Sequence, residues 1–339
     1  MINTKEYQKY ILFPLALFYW GVVFWRNLFY NLNFFIIKKA PCKVISVGNI
    51  SVGGTGKTPT VIYLASLLVK LGKGVAILSR GYGRITNGLI LASDGGGEGL
   101  CNWKECGDEP YMMAEKLTNI PILVDEDRYR GSLYLVKRFN PEIIIMDDGF
   151  QHRSLYRDCD IVLVNGADSM SDHKLLPYGI LREPWNNIIR ADLVMVTKKI
   201  PGPLLQRKLK ETSLPTFQTK VKPLIRFYNF DSTIKMSKKG RAFLASGLGN
   251  PGFFRETVQH LGFRISGEKK FPDHYFYTKN DILELETKAK KAGASHILTT
   301  EKDWLKIKEL SPKFSFGIID IKIRVLNEKR LLKLLNLQN

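Results

Sequence analysis

The ten residues SVGGTGKTPT, 51 to 60, have the composition of a loop that binds phosphate. They follow a short apolar run and end in Gly56-Lys57-Thr58. The amides of a glycine-rich turn favour negative charge, a lysine there can reach the β and γ phosphates, and a threonine hydroxyl can bind Mg²⁺. Ser51 replaces the first glycine of the strict G-x-x-x-x-G-K-[ST] pattern. The predicted nucleotide contacts come from Ser51, Val52, Gly53, Gly54, Thr55, Gly56, Lys57 and Thr58.

Two consecutive aspartates, Asp147 and Asp148, follow the strand-like segment EIIIM. In P-loop proteins a carboxylate at the end of a strand provides a second anchor for the metal. Thr58, Asp147 and Asp148 are therefore the predicted Mg²⁺ ligands, and the sequence leaves open which aspartate binds directly. These residues indicate Mg-ATP or Mg-GTP and do not identify the group that receives the phosphate.

The elements that must position these residues alternate between strand and helix patterns. Continuous apolar strands between helices are typical of a parallel sheet covered on both faces. We therefore predict an α/β fold with a P-loop NTPase-like parallel sheet. Its expected strands are 43–48, 75–78, 120–124, 142–146, 161–164 and 193–196.

The rest of the chain predicts a second, smaller α/β lobe and a cleft between the two lobes. Thr216–Val221 and Leu224–Phe230, separated by Lys222-Pro223, are expected to form an antiparallel linker pair. The expected divisions are an N-terminal helical segment at residues 1–40, a P-loop domain at 41–220, linker strands at 221–240 and a smaller α/β lobe at 241–339.

The composition is that of a folded protein with an anionic partner. Of 339 residues 45% are hydrophobic and 24% charged, and 51 basic against 32 acidic side chains give a net charge of +19. Such an excess favours nucleic acid, a membrane surface or a phosphorylated substrate. No RNP, zinc-finger or helix-turn-helix signature is present, so we expect no nucleic-acid partner. The four cysteines form no CxxC pair and are expected to be reduced.

The N-terminal segment has the composition of a membrane contact. Residues 10–25, YILFPLALFYWGVVFW, carry no charge, but the run is shorter than the roughly 20 residues that span a bilayer. Pro14 and Gly21 interrupt it. Aromatic rings with flanking cations favour the headgroup layer, so we predict a helix lying in, or dipping into, one leaflet. A buried N-terminal helix is the alternative.

Further polar clusters follow along the chain in this order: SRGYGR (79–84), GDEP (107–110), DDGFQH (147–152), LREP (181–184), FPDH (271–274) and TTEKD (299–303). Together with GNISVGGTGKTP (48–59) they resemble the tetraacyldisaccharide 4′-kinase family, the lipid A 4′-kinases of Gram-negative bacteria. The resemblance runs from about Lys43 to Asp303. Two small departures from the family pattern, Tyr275 after FPDH and Trp304 after TTEKD, do not affect the chemistry that the resemblance implies.

This resemblance implies a kinase of lipid A biosynthesis at the cytoplasmic face of the inner membrane. It would transfer the γ-phosphoryl of ATP, with Mg²⁺, to the 4′-hydroxyl of a tetraacylated glucosamine disaccharide 1-phosphate. Its partners would be ATP, this lipid A disaccharide precursor and the inner-membrane lipid surface. A lipid acceptor would account for the aromatic N-terminal segment, and an anionic leaflet for the basic excess.

The resemblance also implies roles for individual residues. Asp108 of GDEP would be the catalytic base, aided by His274, while a helix cap and a surface histidine are the structural alternatives. Lys57 and Arg182 would neutralise charge on the transferred phosphoryl group. Residues of the acceptor pocket or behind it would be Tyr82, Arg84, Glu109, Arg128, Gln151 and Glu301.

One rival function uses the same nucleotide loop. A P-loop ATPase or GTPase that drives protein or metal-cluster assembly would also need the loop and Asp147. It would activate water in place of a sugar hydroxyl, and it would not need a lipid-facing segment.

Overall fold

The computed structural model describes residues 4–97, 99–228, 240–249 and 251–336, with side chains from residue 12 onward. The strands are β1 Lys43–Asn49, β2 Val75–Ser79, β3 Ile90–Asp94, β4 Pro121–Val124, β5 Ile143–Asp147, β6 Cys159–Asn165, β7 Leu193–Thr197, β8 Thr216–Tyr228, β9 Arg241–Gly247, β10 Arg264–Phe271, β11 His296–Thr300 and β12 Phe316–Val325. The helices are α1 Thr4–Asn31, α2 Lys57–Lys70, α3 Trp103–Cys106, α4 Asp108–Lys116, α5 Arg128–Phe139, α6 Pro203–Glu211, α7 Pro251–His260, α8 Lys279–Lys291, α9 Glu301–Ile307 and α10 Glu328–Leu334. Short 3₁₀ turns lie at Met170–Asp172, Trp185–Arg190 and Lys308–Leu310.

The strands of the described residues form one sheet in the order β10-β9-β11-β12-β8-β7-β6-β1-β5-β2-β4-β3. We call β1 to β7 the first half-sheet and β9 to β12 the second half-sheet. In the first, neighbouring strands are parallel except for β3, which pairs antiparallel with β4. The predicted P-loop-like α/β fold is confirmed.

Both faces of the first half-sheet are covered, because alternate residues of each strand enter different cores. Ile143 and Ile145 of β5 pack in the core that includes α2. Ile144 and Met146 pack on the opposite side, with Leu135 of α5. Burial on both faces explains why these strands are continuously apolar. It also leaves the polar residues of the strand ends at one edge of the sheet.

Strand β8 joins the two half-sheets and differs from the expected linker. Its start pairs in parallel with β7, from Thr216 to Gln218, and its remainder pairs antiparallel with β12. Lys222 and Pro223 therefore lie inside one strand and do not separate an antiparallel pair. Beyond Gln218 that edge of β8 has no partner strand among the described residues, and an open edge is where a strand tolerates proline. Residues 229 to 239 of the predicted linker lie outside the described residues.

Helix α1 continues through Pro14 and Gly21, which the sequence suggested as interruptions. Its window Leu12–Asn31 is long and apolar enough to cross a membrane by length and composition, and 17% of that window is buried inside the protein. Large side chains such as Phe18 and Trp25 are exposed, at 74% and 56%. The alternative of a buried N-terminal helix therefore does not fit the described residues.

The cysteines differ from the sequence-based expectation. Cys101 and Cys106 form a disulfide with their Cα atoms 6.4 Å apart. Cys42 and Cys159, which also lie in the described part of the chain, are free thiols. The turn that starts α3 brings the first pair together, because Asn102 caps the helix and folds the chain back. Because Cys101 and Cys106 do not form a CxxC pattern, the sequence did not predict this disulfide.

Candidate active site

The glycine-rich loop leads directly into α2, as its sequence predicts. Gly56 precedes the first helical residue and has a φ of +88°, which only glycine adopts without strain. Asn49 holds the loop from inside, since its side-chain amide donates to Ser51 O at 2.5 Å and to Thr55 Oγ1 at 3.0 Å. The hydroxyl of Thr197 donates to Thr55 O at 2.7 Å. The loop amides and the N-terminus of α2 thus form a site for an anion.

The segment that carries Arg182 pairs with the start of this loop. The amide of Val52 donates to Ile180 O at 2.7 Å, and the amide of Arg182 donates to Ile50 O at 2.8 Å. The guanidinium of Arg182 then reaches both carboxylate oxygens of Asp148, at 2.9 and 3.0 Å. Lys57 Nζ lies 3.5 Å from the same carboxylate. The backbone pairing therefore places Arg182 beside Asp148, and Lys57 at the start of α2 lies beside the same carboxylate.

The two aspartates have different surroundings. Asp147 is 2% exposed, and its Oδ2 accepts from Ser79 Oγ at 3.1 Å. Its Oδ1 has no hydrogen-bond partner within the described residues. Burial, with the neighbouring carboxylates of Glu109 and Asp148, raises the pKa of Asp147 to about 7. A cation beside Oδ1 would relieve both the burial and the repulsion.

Asp148 is electrostatically satisfied by protein groups. Burial would raise the pKa of Asp148, but Lys57 and Arg182 outweigh burial and hold that pKa below its ordinary value. Asp147 and Asp148 thus differ in burial and in their partners, although they are neighbours in one sequence motif.

Asp108 and His274 meet across the two half-sheets. Asp108 opens α4, directly after Gly107, and His274 lies in the loop that follows β10. His274 Nδ1 is 3.0 Å from each carboxylate oxygen of Asp108. The imidazole also contacts the ring of Tyr82, edge to face, with 5.0 Å between centroids. The predicted pair is therefore in direct contact.

Two lysines of α9 complete the surroundings of Asp108. Lys306 Nζ lies 3.2 Å and Lys302 Nζ 3.6 Å from its Oδ2. Burial alone would raise the pKa of Asp108, but His274, Lys302 and Lys306 outweigh it and hold that pKa well below its ordinary value. Asp108 is consequently a buried, firmly ionised carboxylate.

Lys302 also connects the pair to other charges. Its Nζ lies 3.3 Å from His274 Nε2, 3.0 Å from Asp273 Oδ1 and 4.0 Å from Glu109 Oε1. Burial would lower the pKa of Lys302, but the carboxylates of Asp108, Glu109 and Asp273 raise it to about 12. Glu109 also raises the pKa of Asp147, so this cluster interacts electrostatically with one of the predicted metal ligands.

Two of the remaining predicted residues lie beside the aspartates and the loop. Arg128 is 2% exposed, its Nε has no partner among the described residues, and burial lowers its pKa to about 10 although Asp147 and Asp148 oppose the shift. Gln151 donates to Asn49 O at 2.9 Å and accepts from Arg182 at 3.4 Å. Gln151 is therefore in contact with the site, whereas Arg128 donates to Asp125 O and acts on the two aspartates through its charge.

Two other predicted residues bind elsewhere. Arg84 donates to Gly88 O at 2.7 Å and pairs with Glu126. Glu301 pairs with Arg226 of β8. These contacts hold a loop and a strand in place, and they do not reach the Asp108 carboxylate or the nucleotide loop.

Sequence reasoning missed several residues of this site. Lys302 lies in the TTEKD motif, but the sequence pattern indicates no role for it, and Lys306 follows on the same helix. A signal was available for Lys306, because it is a charged residue in the apolar run WLKI and is 2% exposed. Asn49 and Ser79 end buried strands, where a polar residue is itself a signal.

Comparison with known proteins agrees with this geometry. Residues 8–338 match the family LpxK, tetraacyldisaccharide-1-P 4′-kinase. The chain belongs to this family. The tetraacyldisaccharide 4′-kinase of Aquifex aeolicus is 38% identical over 327 residues, 96% of this chain and 97% of that protein. That of Chlorobium limicola is 38% identical over 305 residues, 88% and 86% of the two chains.

A solved structure of the family is similar throughout. The crystal structure of LpxK from Aquifex aeolicus in complex with ATP has 35% sequence identity, a TM-score of 0.75 and coverage of 97% of this chain and 98% of its own. The predicted family and the predicted class of enzyme, an ATP-dependent kinase, are confirmed. The rival interpretation as an assembly ATPase or GTPase is not supported by these relatives.

Proposed function

We propose that this kinase transfers the γ-phosphoryl of ATP to the 4′-hydroxyl of a tetraacylated glucosamine disaccharide 1-phosphate. The names of its relatives support that acceptor, and the ATP-bound relative supports the donor. The observation that carries the proposal is the direct contact of Asp108 with His274, in a charge cluster whose Glu109 acts electrostatically on Asp147. A site for in-line transfer to an alcohol needs this combination of anion-binding loop and proton acceptor.

Residues that fit Mg²⁺ are Asp147 at the end of β5 and Thr58 in the first turn of α2. The Oδ1 atom of Asp147 is buried without a partner among the described residues, whereas Asp148 is already bound by Arg182 and Lys57. We therefore assign the direct contact to Asp147. The ion would neutralise charge on the phosphates and orient them, which is its usual part in phosphoryl transfer.

We assign the proton acceptor to His274, which reverses the roles expected for the pair. Asp108 is 5% exposed and its oxygens are occupied by His274 and by two ammonium groups. A carboxylate held so firmly ionised is a weak base. The imidazole side chain is 21% exposed, and Asp108 can orient it and stabilise its cation, as in a catalytic triad.

Lys57 and Arg182 supply positive charge to the transferred group. Both contact Asp148, which holds them beside the nucleotide loop. A preorganised cation stabilises developing charge without reorganisation during the reaction. Asp148 is then a residue that positions these cations.

The membrane contact is proposed for α1 at the cytoplasmic face of the inner membrane. Its exposed face carries Phe18, Val22 and Trp25, and the whole chain has a net charge of +19. Apolar side chains with a cationic body favour an anionic leaflet. We retain residues 1–40 as the membrane-associated segment, 41–220 as the kinase domain and 241–339 as the smaller lobe.

The proposal is tested by an ATP-dependent assay on the disaccharide acceptor in detergent micelles. We expect one new phosphate ester at the 4′ position, located by NMR of the product, and loss of that product in Lys57→Ala. Phosphate release from ATP at a constant rate, unchanged by the acceptor, would instead support the assembly ATPase.

A further inference from the structure

We propose that Lys302 is a positioning residue that sets the tautomer of His274 and keeps its Nε2 atom available to the acceptor hydroxyl. This inference rests on the role proposed above for His274. It concerns a residue that lies in the TTEKD motif at the first turn of α9.

The geometry leaves one neutral tautomer with both nitrogens satisfied. A lysine ammonium only donates, so Lys302 Nζ, 3.3 Å from His274 Nε2, requires a lone pair on that nitrogen. The proton then lies on Nδ1, which donates to the Asp108 carboxylate at 3.0 Å. The other tautomer would direct an N–H at the ammonium and a lone pair at the carboxylate. Both contacts would be repulsive.

The charges around the imidazole support this assignment. The imidazole is contacted by Asp108 from α4, by Lys302 from α9, by Asp273 from its own loop and by the Tyr82 ring from the loop after β2. Glu109 lies on the other side of Lys302, 4.0 Å from its Nζ. Lys306 acts on the far side, through Asp108. Because three carboxylates stabilise the Lys302 ammonium, it is a permanent cation at neutral pH.

The proposed role in turnover follows from the other partners of Lys302. When the acceptor binds, its hydroxyl takes the place of the ammonium at Nε2, while Asp273 and Glu109 retain Lys302 nearby. The hydroxyl proton passes to Nε2 as the oxygen bonds to the γ-phosphorus. The bond from that phosphorus to the bridging oxygen breaks, and its electron pair leaves with ADP. The imidazolium then releases its proton to water.

Lys306, a second lysine of α9, illustrates a purely structural role. Lys306 is 2% exposed, contacts Asp108 Oδ2 at 3.2 Å and lies over the rings of Trp103 and Tyr277. It holds the carboxylate in place. Lys302 differs because it contacts the imidazole itself.

The experiment uses the full chain in detergent micelles, labelled with ¹⁵N-histidine and measured without acceptor. The chain has five histidines, and the His274 signals are those lost in His274→Asn. We expect a protonated Nδ1 and an unprotonated Nε2 in the wild type. In Lys302→Met we expect a mixture of protonation states, and in Lys302→Arg the wild-type pattern.

A kinetic readout complements the spectra. Lys302→Met removes the cation beside Nε2, so the acidic limb of kcat/KM should move to higher pH. Lys291→Met is the matched control, because Lys291 is an exposed lysine in the last turn of α8. It should leave both readouts unchanged.

Two results would overturn the inference. One is a wild-type His274 with a protonated Nε2, which needs no variant to be observed. The other is a folded Lys302→Met or Lys302→Gln variant with reduced kcat but an unchanged tautomer and pH profile, since that is the result of a purely structural role. Failure of the proposed function would look different, because the wild type would then form no phosphorylated disaccharide.

Discussion

At the scale of single residues, neighbouring side chains of identical type have acquired different environments. Asp147 ends β5 in full burial, while Asp148, one residue later, lies where Arg182 and Lys57 reach it. A positive φ of 50° at Asp148 turns the chain at this point and directs the two carboxylates apart. The Oδ1 atom of Asp147 has no partner among the described residues, whereas Asp148 binds the site's own cations.

This difference predicts unequal effects of two matched substitutions. Asp147→Asn should raise the Mg²⁺ concentration needed for half-maximal rate and lower kcat by about 100-fold or more, because a metal contributes several kcal/mol to charge stabilisation. Asp148→Asn should mainly raise KM for ATP, since it releases Lys57 and Arg182. Titration of the rate with Mg²⁺ measures the metal requirement of each variant, and titration with ATP measures its KM for ATP. A larger shift in the Mg²⁺ requirement of Asp148→Asn would contradict the assignment.

At the scale of elements, α1 is attached to the kinase body through its last turns. Tyr19 donates to Arg182 O at 2.7 Å, and Asn27 and Arg26 bind the buried Glu183 at 2.9 and 3.0 Å. Glu183 is fully buried and also accepts from Arg190 at 2.8 Å. The helix therefore has one face held by the LREP segment and another face exposed.

The exposed face can be tested without disturbing the attached one. We expect the double variant Phe18→Asp with Trp25→Asp to lose most of its sedimentation with anionic vesicles, because both side chains are exposed and would carry charge into the interface. The contacts of Tyr19, Arg26 and Asn27 remain. The control is Leu133→Asp on α5, an exposed apolar residue outside α1. Unchanged sedimentation of the double variant would assign the membrane contact to the basic surface.

The agreement between predicted and observed strands also differs from strand to strand. The apolar strands β1, β2, β5, β6 and β7 agree with prediction to within a few residues, because burial on both faces leaves a continuous apolar signal. Strands β3, β10 and β12 were not predicted. In β10, RISGEKKF, most residues are partly exposed and polar, so the local pattern does not separate a strand from a loop.

At the scale of the whole molecule, the two half-sheets meet through charged contacts between α4 and the region of α9. Besides Asp108 with Lys306, Lys308 binds Glu115, and Trp103 Nε1 donates to Glu309 at 3.1 Å. Apolar packing joins the half-sheets at another place, because Val325 of β12 and Leu331 of α10 lie in the core that includes α2. The charged contacts around Asp108 should nevertheless depend on ionisation.

A pH dependence of stability follows from Asp108. Its folded pKa lies below the unfolded value of about 3.9, so its contribution is complete above that pH and is lost as the pH falls through the folded pKa. We expect the difference in free energy of unfolding between wild type and Asp108→Asn to be largest near pH 6 and to shrink below about pH 4. Denaturant titrations from pH 3 to 7 measure it, with the more exposed Glu115→Gln as control. A difference independent of pH would contradict this account.

The sequence by itself determined the family, the nucleotide loop, the parallel sheet and the identity of most residues around the site. These features depend on short patterns, in which a glycine-rich turn or an apolar strand is recognised within ten residues. The tertiary structure alone decided which groups meet. Asp108 and His274 are 166 residues apart, and Asn27 and Glu183 are 156 apart. Their contacts, and hence the pKa values that assign the roles, depend on strand order and on the path of β8, which no local pattern encodes.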